Sequence, residues 1–138
     1  MEYPISINGI RFNKMVIADS AEDLAGTLAK SELPDDGGII CVFPIEERLF
    51  FWMKDIACDL DIVFINRRNR IVATKKMLAE APRQENESEV DYEKRLKTYS
   101  SGCPAIIAIE FKAGTLEKLN LKIGGRFPVD LSRLMTRN

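Results

Sequence analysis

The chain has 138 residues, of which 46% are apolar and 30% charged, and its net charge is −1. That length fits a single domain over residues 1–138 with enough material for a core, and a charge so near zero gives no general electrostatic pull toward nucleic acid or an anionic membrane. The chain contains no histidine, which removes Ser-His-Asp and Cys-His catalysis, histidine metal ligation and a histidine pH switch.

At the N-terminus, Tyr3 to Asn8 and Arg11 to Val16 flank Asn8-Gly9, a dipeptide that tolerates positive φ and so favours a tight hairpin. Ser20-Ala21-Glu22-Asp23 reads as a helix start, with a capping hydroxyl and two acids at the positive end of the helix dipole. Leu24 and Leu28 supply its apolar stripe, and Leu33-Pro34-Asp35-Asp36-Gly37-Gly38 stops it. Strands are expected at Ile39 to Phe43, Leu49 to Lys54, Leu60 to Ile65 and Ile71 to Lys76, with Asn66 to Asn69 turning between the last two. Residues 79–98 form a charged excursion, with Ser88 capping a short helix from Glu89 to Lys97 docked by Val90, Leu96 and Tyr92. Pro104 to Phe111 is an apolar strand, Leu116 and Leu119 sit on a short helix, and Leu121 to Phe127 brings in a last strand. Leu131, Leu134 and Met135 pack a terminal turn. Short strands, with one N-terminal helix and one or two short helices, predict an α+β domain whose mainly antiparallel sheet curls towards a small barrel-like form.

No apolar run approaches the ~20 residues of a bilayer span, and MEYPISINGIRFNK has no signal-like core, so no membrane association is expected. Cys41, Cys58 and Cys103 are odd in number and lack metal-ligand spacing, which predicts reduced thiols, no metal, no cofactor and a cytoplasmic setting.

Phe50 to Ile65, FFWMKDIACDLDIVFI, carries the most information. Strand alternation sets Trp52 beside Lys54, and Asp61 in line with Val63 and Ile65. A carboxylate among such neighbours must be paired, hydrogen-bonded or at a pocket mouth. Phe51-Trp52-Met53-Lys54 followed by Asp59-Leu60-Asp61, with Gly38 to Phe43 upstream and Tyr99-Ser100-Ser101, Pro104-Ala105 and Ala113-Gly114-Thr115 downstream, resembles the uncharacterised family called domain of unknown function 192. The resemblance spans roughly Val16 to Phe127. Asp55-Ile56 stands where that family usually has Asn-Thr, Asp59 where it has Pro, and Gly124-Gly125 where it often closes on Gly-Asp. The family has no established biochemical role, so the resemblance implies a fold and a divergent member of the family, and no activity.

The candidate ligand-binding residues are Trp52 as a stacking face, Lys54 as a cation and Asp61 as an acceptor. Ser100, Ser101 and Cys103 join them, on a loop whose amides could hold an anion. The leading expectation is a non-enzymatic binding domain for a small polar ligand or a protein partner. The alternatives are an enzyme using Asp61 as base beside Lys54, and nucleic-acid binding through Arg67, Arg68, Arg70, Lys75 and Lys76. That hairpin reads more simply as a solvated edge, because alternation splits its cations and no aromatic is interleaved.

Overall fold

A computed structural model of the chain describes residues 1–18 and 33–136, so the helix expected from Ser20 lies outside the described residues. The elements are β1 (Ile5–Ile7), β2 (Ile10–Phe12), β3 (Lys14–Ala18), β4 (Gly37–Phe51), β5 (Leu60–Ile65), β6 (Ile71–Met77), α1 (Glu89–Arg95), β7 (Tyr99–Lys112), α2 (Leu116–Leu119) and a final 3-10 turn, Leu134–Thr136. The fold is α+β and mostly strand. β1 and β2 form a hairpin with Ile7 opposite Ile10, turned by Asn8 at φ 48° and Gly9 at φ 87°. The main sheet has the order β3-β4-β7-β5-β6, parallel only between β3 and β4.

Alternation along the central strands divides the interior into two layers. Val63 and Ile65 of β5 join Ile107, Ile109 and Phe111 of β7 in one layer, under the β1–β2 hairpin and the C-terminal turn. Leu60, Ile62 and Phe64 face the other way, with Ile39, Cys41, Met53 and Tyr99. All six residues of β5 are buried, as expected of a strand covered on both faces.

The sheet is open. β3 and β6 are its edges, and among the described residues no pairing joins them, so the expected curl does not close into a barrel. Short bridged segments cover part of each edge instead, which limits edge-to-edge association. Tyr3 N donates to Met15 O at 2.9 Å on one side, and Gly124 N donates to Ile71 O at 2.7 Å on the other. The latter replaces the strand expected at Leu121 to Phe127 with a turn and a single bridge, Arg70 to Arg126.

Three further boundaries differ from the sequence reading. The second hairpin strand ends at Phe12, after which a turn at Asn13 hands Lys14 to a different sheet. The two strands expected around Pro44 are one, β4, whose register slips between Val42 and Glu47, where proline cannot donate to the ladder. β7 begins at Tyr99 rather than Pro104, with Gly102 at φ 73°. Helix α1 starts as expected with its Ser88 cap, Asp91 N donating to Ser88 Oγ at 3.0 Å, and ends at Arg95, two residues before the expected Lys97. Tyr92 and Leu96 dock the helix, but Val90 is 60% exposed. No helix among the described residues is long and apolar enough to cross a membrane.

Candidate functional site

Trp52 and Lys54 lie just past the end of β4, not on a strand. They are together: the Lys54 ammonium sits 5.7 Å from the centre of the indole ring. Helix α1 supplies the ammonium's charge partners, Glu89 at 2.6 Å and Glu93 at 2.5 Å. Those two carboxylates, Glu89 foremost, hold the Lys54 ammonium well above the ordinary lysine range. Beside them, the Tyr92 hydroxyl accepts from Asp55 N at 2.8 Å and donates to Asp55 Oδ1 at 3.3 Å, fixing a turn in which Asp55 takes φ 60°. The charged excursion is thus clamped onto the Trp52 turn by named contacts, and Trp52 itself is 42% exposed.

Asp61 has different partners. It is fully buried on β5, and its Oδ2 accepts from Gly114 N at 3.0 Å and Leu116 N at 2.9 Å. These two amides belong to the turn entering α2, so Asp61 satisfies orphan donors there. Thr115 closes the same turn, its hydroxyl donating to Lys112 O at 2.7 Å. Asp61 Oδ1 is buried without a hydrogen-bond partner among the described residues. Lys76, opposite Asp61 on β6, feels its charge while pairing with Glu117 at 3.0 Å.

The turn that Asp61 pins forms one wall of a cleft of about 360 Å³, lined among the described residues by Leu33, Ala57, Cys58, Asp59, Leu60, Lys112 and Ala113. The cleft carries both signs of charge. Lys112 Nζ pairs with Asp35 at 3.0 Å, and that contact lowers the Asp35 carboxyl. Asp59 Oδ1 accepts from Ala79 N at 2.7 Å, which holds the opposite wall to the end of β6.

Ser100, Ser101 and Cys103 form an irregular step in β7. The Ser101 hydroxyl is buried, accepting from Leu49 N at 2.9 Å and donating to Cys103 O at 2.7 Å. Gly102 N donates to Ser100 Oγ at 2.9 Å. A serine hydroxyl therefore already takes one loop amide, that of Gly102, which an anion nest would use. Cys103 is exposed.

Two features escaped the sequence reading. Glu110, on β7, is 1% exposed with Oε2 unpartnered among the described residues, and burial pushes its carboxyl up to about 8. It stands between Ile39 and Ile62, two pairs inward from the Leu60–Lys112 pair that walls the cleft and on the same face of the sheet. Its charge also adds to the burial that raises the Cys41 thiol. The available signal was a carboxylate inside the run IIAIEF, the same signal that singled out Asp61. The other is Asn69, read only as a turn residue. It is buried at φ 61°, donates to Phe127 O and Val129 O, and accepts from Leu131 N.

A family model described as Uncharacterized ACR matches residues 4–129. No curated protein matches the chain. Among solved structures, a protein from Sinorhizobium meliloti 1021 described as a "putative transcription regulator" is similar at 22% identity and a TM-score of 0.64, over 89% of this chain and 87% of that one. A protein of unknown function from Novosphingobium aromaticivorans DSM 12444 is similar at 21% identity and a TM-score of 0.64, over 89% and 81%. At such identities the likeness is one of fold.

Proposed function

The chain belongs to the uncharacterised family called domain of unknown function 192, and from that premise we propose that it is a non-enzymatic binding domain for a small polar ligand held in the cleft between residues 57–60 and 112–113. The observation that carries the reading is the cleft itself. Its volume, about 360 Å³, falls within the ~300–1,000 Å³ of small-molecule sites. An ammonium, paired with Asp35 at the surface, and the Asp59 carboxylate set among Leu33, Ala57, Cys58, Leu60 and Ala113 suit a small ligand bearing both charges, such as an amino acid or amino-carboxylate. Asp61 serves this site as a positioning residue, because its two amide contacts set the Gly114 turn beside Ala113. Acid–base chemistry by Asp61 and Lys54 finds less support: Asp61 is enclosed and bonded to amides, and Lys54 is engaged by two glutamates. Three free thiols favour a reducing compartment, so the cytoplasm is the proposed setting.

The test is a thermal-shift screen of amino acids, small carboxylic acids, sugars and nucleotides, repeated on Lys112→Ala and Asp59→Asn. Stabilising hits that both variants lose support the cleft. Hits that persist in both variants, or a screen without hits, reject it. Trp52→Ala in the same screen tests a second reading, a partner segment laid against the indole. The observation favouring that reading is the exposure of Phe50 (60%) and Trp52 (42%) at the same end of β4.

A further inference from the structure

At the far end of β5 from the cleft, the Asn69 side chain and three backbone hydrogen bonds fasten residues 124–131 to the β5–β6 turn. This fastening places Arg126 directly opposite Arg70 in an antiparallel bridge, with Arg67 and Arg68 on the adjoining turn. All four are exposed. None of the four guanidinium groups has a carboxylate within ion-pair distance among the described residues, and the one hydrogen bond any of them makes to the rest of the protein is Arg70 Nη1 to Gly124 O, 3.3 Å. Two acids are near. Glu46 accepts from the Arg67 backbone N–H at 2.6 Å, and Asp130 is lowered chiefly by Ser132, with Arg126 the weakest contributor. Like charges directly opposite on paired strands repel. Here two stand opposite each other, fixed by a buried asparagine, in a chain whose net charge is −1.

The sequence alone grouped Arg67, Arg68 and Arg70 with Lys75 and Lys76. The structure takes Lys76 away to Glu117 and brings in Arg126 from across the chain. We propose that Arg67, Arg68, Arg70 and Arg126 form a docking edge for the phosphodiester backbone of a nucleic acid. Guanidinium forks match phosphate oxygens in pairs, and an edge of four suits a chain of repeating charges. A single phosphate fits less well, because the local amides are already used: Arg67 N on Glu46, and Arg68 N and Arg70 N on Asn66 Oδ1. The neighbouring aromatic, Phe127, is buried, so no ring is offered for base stacking and binding is independent of sequence.

Fluorescence anisotropy with a labelled duplex of about 20 base pairs, titrated from about 50 to 300 mM salt, tests this. Each neutralised phosphate contributes about −0.9 to the slope of log K against log salt, so four contacts predict a slope near about −3.5. Arg70→Gln with Arg126→Gln should weaken binding at least about tenfold and flatten the slope by about 2. Arg67→Gln with Arg68→Gln, whose side chains make no bond among the described residues, should do the same with an unchanged melting midpoint. Lys75→Gln with Lys94→Gln removes equal charge elsewhere and should leave binding intact. The proposal is overturned by a wild type that does not bind at low salt, by arginine pairs that bind normally, or by a lysine control that weakens equally. Competition by inorganic pyrophosphate as effective as by unlabelled duplex at equal phosphate would also overturn it, in favour of a small-anion site.

Discussion

Replacing Glu110 by glutamine should change how stability depends on pH between pH 5 and 8. The Glu110 carboxyl is raised from 4.5 in the unfolded chain to about 8 in the fold, by burial. Between those values the folded state holds a proton that the unfolded state has released. Stability therefore falls as pH rises, by about 1.4 kcal/mol per pH unit and by about 5 kcal/mol across the whole interval. The penalty is absent below the unfolded value and complete above the folded one. Other perturbed carboxyls shift the opposite way, Glu87 to about 2 under Arg95 and Gln84 and Asp35 downward under Lys112, so they act on the acid side of the window. With no histidine in the chain, few groups compete inside it. Urea unfolding at four pH values, followed through the emission of Trp52, the single tryptophan, measures the slope directly. Wild type should lose at least about 3 kcal/mol from pH 5 to 8, an allowance for relaxation around the buried ion. Glu110→Gln should be nearly flat, and its curve should cross that of wild type, because a buried unbonded amide has its own cost of about 1–3 kcal/mol. Parallel curves would refute the reasoning, since burial would then not be keeping the proton on Glu110.

Asp61→Ala should lose about 3 kcal/mol in urea unfolding, because it strands the Gly114 and Leu116 amides, whereas Asp61→Asn, still an acceptor, should lose less. Equal losses in the two variants would remove the capping role. Asn69→Ala should lose about 2–4 kcal/mol, through three hydrogen bonds and a left-handed φ that alanine resists, and hydrogen exchange should rise across residues 124–131. Glu89→Gln with Glu93→Gln releases Lys54 and should speed proteolysis within residues 79–98 and change Trp52 emission, leaving the global midpoint nearly unchanged. A segment that stays resistant would show that Tyr92 and Leu96 alone hold it.

Elements with a local cause were readable in the sequence. β5, the Asn8-Gly9 turn and the Ser88 cap each follow from a few adjacent residues. Elements decided by distant partners were not. Lys54 was readable as a cation beside Trp52, yet its carboxylates come from α1, Glu93 being 39 positions away. Arg126 could not be assigned to Arg70 without the Asn69 fastening, which spans up to 62 positions. Trp52 and Asp61 were expected as members of one ligand-binding site. Chain alternation instead turns Asp61 toward α2, and β4 ends before Trp52.

The two buried carboxylates show where that reasoning has most force. One argument applies to both: a charge placed among apolar strand neighbours must find compensation. Asp61 finds it for one oxygen in two amides of the α2 turn, which gives it a folding role in the Asp59-Leu60-Asp61 block although Oδ1, like Glu110 Oε2, has no partner among the described residues. Glu110 sits on the central strand of the same sheet, flanked by β4 and β5, and its Oε2 finds no partner. Folding alone would favour an apolar side chain in its place, since a hydrophobic residue there removes both the desolvation and the orphaned oxygen. Its one titratable neighbour in that layer with a marked shift, Cys41, is driven further toward the neutral thiol by Glu110 and gives it no support. Glu110, unlike Asp61, has no amide among the described residues to set against its burial, so stability explains it least. Variants in the layer holding Glu110, Cys41 and the Leu60–Lys112 pair therefore test whether the proposed cleft can be altered without loss of the fold.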